Sequence, residues 1–288
     1  MKLGISGQAL ENVHTFSEIA AIGKRYGVTH FEIWPSNVSG EGAGYEKRDV
    51  SEIRKIAQEL DITIACVTLG AAFQADAWNS PEEYADLLMS AIEAAKELDC
   101  HTVNHYCYAL NRSEEVDFSV LERAWLKPLE MAKKSGVVLC LENEAHDATR
   151  TPEGMRSILS HFEDDHFKTT FDATNYLHAS CEAFPAAYEI LKPYIGYVHL
   201  KNGCLYRPEA GQESKDRGGP MSGHYAPSPI QYAPLPDGAV NIAGLVQRLK
   251  EDDQYHGVCT LEPHTVPERV EMFYERETGW LRQLGYFL

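Results

Sequence analysis

Short apolar runs and longer amphipathic stretches alternate from one end of the chain to the other. Residues 3–6 (LGIS) read as a strand, followed by a helix around 15–26 in which Phe16, Ile19, Ala20 and Ile22 share a face. Residues 31–34 (FEIW) form a second run, with Val50, Ile53, Ile56, Ala57 and Leu60 at helical spacing in the stretch 50–60 behind it. The third run, 62–69 (ITIACVTL), leads to a helix opened by Ser80 as N-cap, Pro81 at the first helical position and Glu83 in capping-box position. The fourth, 102–107 (TVNHYC), is followed by a helix over about 118–135 that Gly136 ends.

Four more units complete the series. Residues 137–142 (VVLCLE) precede a helix entered through Thr151, Pro152 and Glu153, and 168–174 (KTTFDAT) precede one near 182–195. Residues 196–202 (GYVHLKN) lead, after a long interruption, to a helix beginning near Asn241, and 257–263 (GVCTLEP) to a final helix over about 266–284. Eight strand-then-helix units without adjacent hairpins call for parallel strands and right-handed crossovers, and the count of eight predicts a closed (β/α)8 barrel forming one domain over 1–288. The interruption, 203–240, is rich in Gly, Pro, Ser and Tyr, with Tyr206, Tyr225 and Tyr232 among its aromatics. A loop of that length in a compact domain is a lid or binding loop, or else a disordered segment, and its aromatics and position favour the lid.

In such a barrel the reactive side chains stand at the C-terminal ends of the strands. Glu142, Asp172, His199 and Glu262 occupy those ends in four consecutive strands. A hydrophobic strand that runs into a buried carboxylate needs a partner for the charge, and a shared divalent cation is the simplest one. Three carboxylates and an imidazole make an oxygen-dominated site, suited to Mn²⁺ first, or Mg²⁺, with Co²⁺ or Zn²⁺ admissible because of the histidine. A lone acidic residue at a strand end is more often a cap or a solvated side chain; four placed alike shift the balance toward ligands.

Other positions are candidates for substrate contact. Glu32 and Trp34 on the second strand and His105 on the fourth project toward the same rim if the registers hold. Trp34 suits the apolar face of a sugar ring, or plugs the barrel mouth; His105 reads as a satisfied core histidine ahead of a substrate contact. Glu144 is a second acid or a loop-orienting residue. Lys201 alternates to the same face as His199, to polarise a substrate oxygen or pair with Glu144. His146 and His264 follow ligand positions closely. Arg207 lies in a basic stretch with Lys201, Lys215 and Arg217, as a substrate contact or a solvated loop residue.

Composition trims the function classes. The 288 residues carry a formal net charge of −17, from 43 acidic and 26 basic side chains, which argues against a nucleic-acid partner. Seven cysteines, scattered singly without CxxC spacing, are no disulfide framework. No apolar signal core opens the chain and no window approaches a membrane span, so a cytoplasmic protein with no membrane partner is expected.

The motifs also look familiar. LEN at 141–143, FDATN at 171–175, GYVHLKN at 196–202 and TLEPH at 260–264 resemble the xylose isomerase-like TIM-barrel superfamily, in its sugar phosphate isomerase/epimerase branch. That branch includes tagatose and psicose 3-epimerases, inosose dehydratases and hydroxypyruvate isomerases. The resemblance is strong over 137–264 and extends in strand order along the whole chain. It implies that Glu142, Asp172, His199 and Glu262 match the family's metal ligands, and that Glu142 and Glu262 also act as the acid/base pair on opposite faces of a sugar or keto-sugar, through a metal-stabilised enediolate. A homo-oligomer is in keeping with the resemblance.

Two departures matter. Many epimerases have histidine three residues after the aspartate, where this chain has Asn175, which hydrogen-bonds a hydroxyl but cannot act as a base. The related DNA-repair endonucleases use extra histidines on early strands, and ACVTLG offers none. The leading expectation is an isomerase or 3-epimerase. A metal-dependent lyase or dehydratase of a keto-sugar, keto-inositol or keto-glycoside is the alternative, and a non-catalytic sugar-binding subunit is a third.

Overall fold

The computed structural model describes residues 1–10, 14–37, 45–69, 80–205, 230–251 and 255–285. Eight strands close into a barrel: β1 (Lys2–Ser6), β2 (His30–Ile33), β3 (Thr63–Thr68), β4 (Thr102–His105), β5 (Val138–Glu142), β6 (Phe167–Asp172), β7 (Ile195–Leu200) and β10 (Val258–Leu261). Every barrel pairing is parallel, and β1 closes the ring by pairing with both β2 and β10. The expected single-domain (β/α)8 barrel is what the sequence folds into.

The helices are α1 (Phe16–Arg25), α2 (Lys47–Leu60), α3 (Pro81–Glu97), α4 (Phe118–Ser135), α5 (Pro152–Phe162), α6 (Ala173–His178), α7 (Tyr188–Leu191), α8 (Ile242–Glu251) and α9 (Pro267–Gln283). Their ends follow local chemistry. Ser80 accepts the Glu83 N–H at the start of α3, Thr151 accepts that of Gly154 at the start of α5, and α4 stops at Gly136 with φ +66°. The helix expected near 182–195 forms in consecutive short pieces of different winding, a π-type stretch over Ala183–Ala187, α7 and a 3-10 turn over Lys192–Tyr194, because Pro185 and Pro193 break a regular α ladder; a turn-and-a-half helix, α6, starts immediately after Asp172.

The two-residue period of the strands sorts their side chains. Ile5, Phe31, Ile33, Val67, Val103, Leu139, Leu141, Phe171, Val198, Leu200 and Leu261 point outward and join the helices in one continuous apolar core. Their neighbours point into the barrel. At the bottom, Cys66, Cys140 and Tyr197 plug it; above them the lining turns polar, with Glu32, Asn104, Thr170, His199 and Thr260, all fully buried.

The long connection after β7 is not irregular throughout. At its base β8 (Gly203–Leu205) pairs antiparallel with β9 (Ile230–Tyr232), a hairpin the sequence pattern did not suggest. Arg207, Tyr206, Lys215, Arg217 and Tyr225 lie outside the described residues. Beyond β9 the chain is tied to α9, where the Leu235 N–H donates to the buried Glu277 Oε1 at 3.3 Å.

Candidate metal centre

Glu142 and Asp172 are the last residues of β5 and β6, His199 lies one residue before the end of β7, and Glu262 follows β10 directly. Asp172 sits beside His199 in register, and His199 beside Thr260, so three neighbouring strands deliver their side chains to one level of the barrel. One ligating atom from each of the four residues lies within 4.8 Å of all the others, and all four are buried. Metal–oxygen and metal–nitrogen bonds of about 2.0–2.2 Å place donors on opposite sides of an ion about 4.0–4.4 Å apart, so small side-chain adjustments suffice to close on a cation.

Each ligand candidate is held by its surroundings. Asp172 is the N-cap of α6, and its Oδ1 accepts the N–H groups of Thr174 (2.8 Å) and Asn175 (3.0 Å). That fixes the carboxylate so that Oδ2 turns to the cluster, buried and ion-paired to Lys201 Nζ at 2.8 Å. Asn143 clamps the ends of β5 and β6: its Oδ1 accepts the Asp172 N–H at 2.8 Å and its Nδ2 donates to the Asp172 carbonyl at 2.9 Å.

His199 is oriented by a residue on the far side of the ring. Its Nε2 lies 2.7 Å from Glu32 Oε2, while its Nδ1 faces Glu142 Oε1 at 3.0 Å and Glu262 Oε2 at 3.5 Å. Glu32 is itself fixed through Oε1, which accepts from Ser6 Oγ (3.1 Å) and Trp34 Nε1 (3.0 Å). A carboxylate on Nε2 keeps a proton there and points the Nδ1 lone pair at an ion. Without one, burial would depress the imidazole, but Glu142, Glu262 and Glu32 outweigh it and hold its pKa well above the ordinary value.

The charge balance fits a cation. Glu32, Glu142, Asp172 and Glu262 face Lys201 and His199, an excess of negative charge in a buried site. With the mixed oxygen and nitrogen donors, this suits a divalent metal ion with a preference for oxygen ligands.

Lys201 reaches the site as its alternation from His199 predicts, but its partners are Asp172 and Glu262 Oε2 (3.0 Å) rather than Glu144. Burial works against its charge, yet Asp172 and Glu262 hold its pKa well above the ordinary lysine value. Conversely, burial opposes the Glu262 carboxylate, but His199 and Lys201 hold it ionised far below the usual range. Glu144 is half-buried and is driven upward by burial and by Glu142. Asn175 Nδ2 donates to the Asn143 carbonyl at 2.9 Å and lies 3.5 Å from Glu142 Oε1 and 3.4 Å from Glu144 Oε1, bridging the two acids. His264 Nε2 stands 3.6 Å from Glu262 Oε2 and its ring is 4.7 Å from that of Tyr232, so the base of the long connection borders the site.

Three expectations need correction or completion. His105 does not reach the rim: Asn104 takes the inward face, so His105 turns out between barrel and helices, its ring 5.2 Å from Trp125 and 5.7 Å from Phe167. Burial alone lowers its pKa to about 3. Trp34 is buried, tilted against Tyr106 at 6.2 Å, with its indole N–H committed to Ser6 and Glu32; it closes the mouth and orients Glu32. The candidate contact Arg207 lies outside the described residues. Sequence reasoning did not single out Asn104, Asn143 or Tyr106. The run TVNHYC sets Asn104 beside His105 and offers no local signal that chooses between them.

A family model described as xylose isomerase-like TIM barrel matches residues 20–287. No curated protein matches the chain in sequence. Among solved structures, a probable 3-DHS dehydratase from Bacillus anthracis superposes with a TM-score of 0.72 at 14% identity, covering 98% of this chain and 99% of that one. A xylose isomerase-like TIM barrel protein from Mycobacterium smegmatis, in complex with magnesium, gives 0.71 at 16%, covering 99% and 95%. A 3-keto-D-glucoside 4-epimerase from E. coli gives 0.69 at 15%, covering 98% and 99%.

Proposed function

This chain belongs to the xylose isomerase-like TIM-barrel family, and from that premise we propose that it is a divalent-metal-dependent isomerase or 3-epimerase of a sugar or keto-sugar. The observation that carries this reading is the convergence of Glu142, Asp172, His199 and Glu262 within 4.8 Å at one mouth of the barrel. A divalent cation bound there, Mn²⁺ first among the candidates, supplies Lewis-acid polarisation of a substrate carbonyl and its neighbouring hydroxyl.

The protein's own groups do the rest. Glu262, kept ionised by His199 and Lys201, is equipped to take a proton from the carbon beside the carbonyl. Glu142, whose Oε1 meets the same His199 Nδ1 as Glu262, is the group we assign to return a solvent-derived proton to the opposite face of the substrate. Lys201 neutralises charge that develops on the substrate oxygen, and Trp34 with Tyr106 shields the floor of the mouth from water.

The test is incubation of the Mn²⁺-loaded protein with ketohexoses in deuterated water. Solvent deuterium at C3 with carbon skeleton and oxygens retained is the expected result; an Mn²⁺-loaded protein that exchanges no C–H against any ketose or keto-inositol overturns it. The placement of Asn175 favours a second reading. A neutral amide bridges Glu142 and Glu144 where a base would serve epimerisation, which suits a dehydratase in which Glu144 protonates a departing hydroxyl. Loss of water from keto-inositol in the same experiment selects that reading.

A further inference from the structure

We propose that Asn104 is a positioning residue that divides the two oxygens of Glu142 between anchoring and chemistry, and that the Thr170 hydroxyl sets its orientation. This rests on the reading of Glu142 as a metal ligand. Asn104 is fully buried on the inner face of β4, and its Nδ2 donates to Glu142 Oε2 at 2.8 Å. The same Nδ2 lies 3.1 Å from the Tyr106 hydroxyl. Its Oδ1 accepts from Thr170 Oγ1 at 2.7 Å.

The polarity of this chain is forced. An ionised carboxylate only accepts, so the amide must present nitrogen to Glu142 and oxygen to Thr170, and the Thr170 hydroxyl must donate. The arrangement spans three strands, because Thr170 is the registered neighbour of Glu142 on β6 and Asn104 lies across β5 on β4. With Oε2 tied down, only Oε1 faces His199 Nδ1 at 3.0 Å, so Glu142 can offer the ion one oxygen from one rotamer. Glu262 is held differently: Lys201, His199 and His264 all gather on its Oε2.

Buried groups that orient a ligand without touching the ion change affinity when removed, by about 10–100-fold in metal binding. The experiment is calorimetric Mn²⁺ titration of the metal-stripped full-length protein and of Asn104→Leu, Thr170→Val and Thr170→Ser, with circular dichroism to confirm folding. Asn104→Leu is expected to bind Mn²⁺ about 10–100-fold more weakly, Thr170→Val about tenfold more weakly, and Thr170→Ser within about twofold of the parent. A purely structural role for Thr170 predicts the reverse order, since valine keeps the volume and serine leaves a methyl-sized void. That reversed order, or a folded Asn104→Leu within about twofold of the parent, overturns the proposal.

If Asn104→Leu does not fold, the two Thr170 variants decide on their own. Calorimetry needs no turnover. Weakened Mn²⁺ binding in the variants of a protein that turns over no sugar therefore sinks only the proposed activity, whereas a parent that takes up no Mn²⁺ sinks both.

Discussion

Glu32→Gln changes one atom's chemistry at nearly constant shape, and the structure fixes its consequence. Glu32 Oε1 accepts from the Trp34 indole N–H at 3.0 Å, and Oε2 takes His199 Nε2 at 2.7 Å. Indole nitrogen only donates, so a glutamine must keep its oxygen toward Trp34 and present its NH₂ to His199. The neutral imidazole that binds an ion then keeps its single proton on Nδ1 rather than Nε2, on the nitrogen that faces Glu142 and Glu262. The opposite amide orientation preserves the tautomer but sets the glutamine NH₂ against the Trp34 N–H and the Ser6 hydroxyl, leaving a buried donor without an acceptor. That costs about 1–3 kcal/mol. Either way Mn²⁺ affinity falls by about 10–100-fold, or roughly 1.4–2.7 kcal/mol. Isothermal titration with Mn²⁺ measures the affinity, and ¹⁵N chemical shifts of the His199 ring report its tautomer. A variant that binds Mn²⁺ within about twofold of the parent with the proton still on Nε2 would refute the reasoning.

Further outcomes follow from the same geometry. Glu142→Gln and Glu262→Gln should each lower the rate of solvent deuterium exchange into a ketose by about 10²–10⁴-fold, the usual worth of a general acid or base; exchange at the parental rate in either variant removes that residue from proton transfer. Because His199 is held protonated far above its ordinary range when no ion is present, cation binding must expel the Nδ1 proton. Affinity should therefore rise with pH, by up to about tenfold per unit while one proton is released per ion, and titrations in buffers of different ionisation enthalpy should show that proton. His105→Phe should leave Mn²⁺ binding unchanged, since the ring lies among Trp125 and Phe167 outside the barrel. Burial lowers the His105 pKa to about 3, below its unfolded value of about 6.5, so its contribution to stability is intact above the unfolded value and is lost as pH falls toward the folded one. The phenylalanine variant should lose less stability between pH 6.5 and 5 than the parent, by up to about 1.4 kcal/mol per unit, as urea titrations would show.

The amino-acid sequence alone determined the architecture and marked the candidate ligand set, because both are written in short-range periodicity. Apolar runs separated by amphipathic helices give the eight units, and an acid or histidine at the end of each of β5, β6, β7 and β10 needs no knowledge of contacts to be counted. What the pattern left open was orientation wherever polarity does not alternate. TVNHYC places two polar residues side by side, so nothing local says whether Asn104 or His105 faces inward; the register of β4 against β5 decides, and gives the barrel interior to Asn104.

Partners remote in sequence were equally hidden. Glu32 reaches His199 across 167 positions, and Lys201 meets Glu262 across 61. Those distances are set by closure of the ring, which brings β2 round to face β7 and aligns β7 with β10. Lys201 thus came to Asp172 and Glu262 rather than Glu144 because strand stagger, not residue type, fixes which carboxylates share its height. Local chemistry chose the elements and marked the candidate ligands; only the assembled barrel, by bringing its strands into one register, decided which atoms meet.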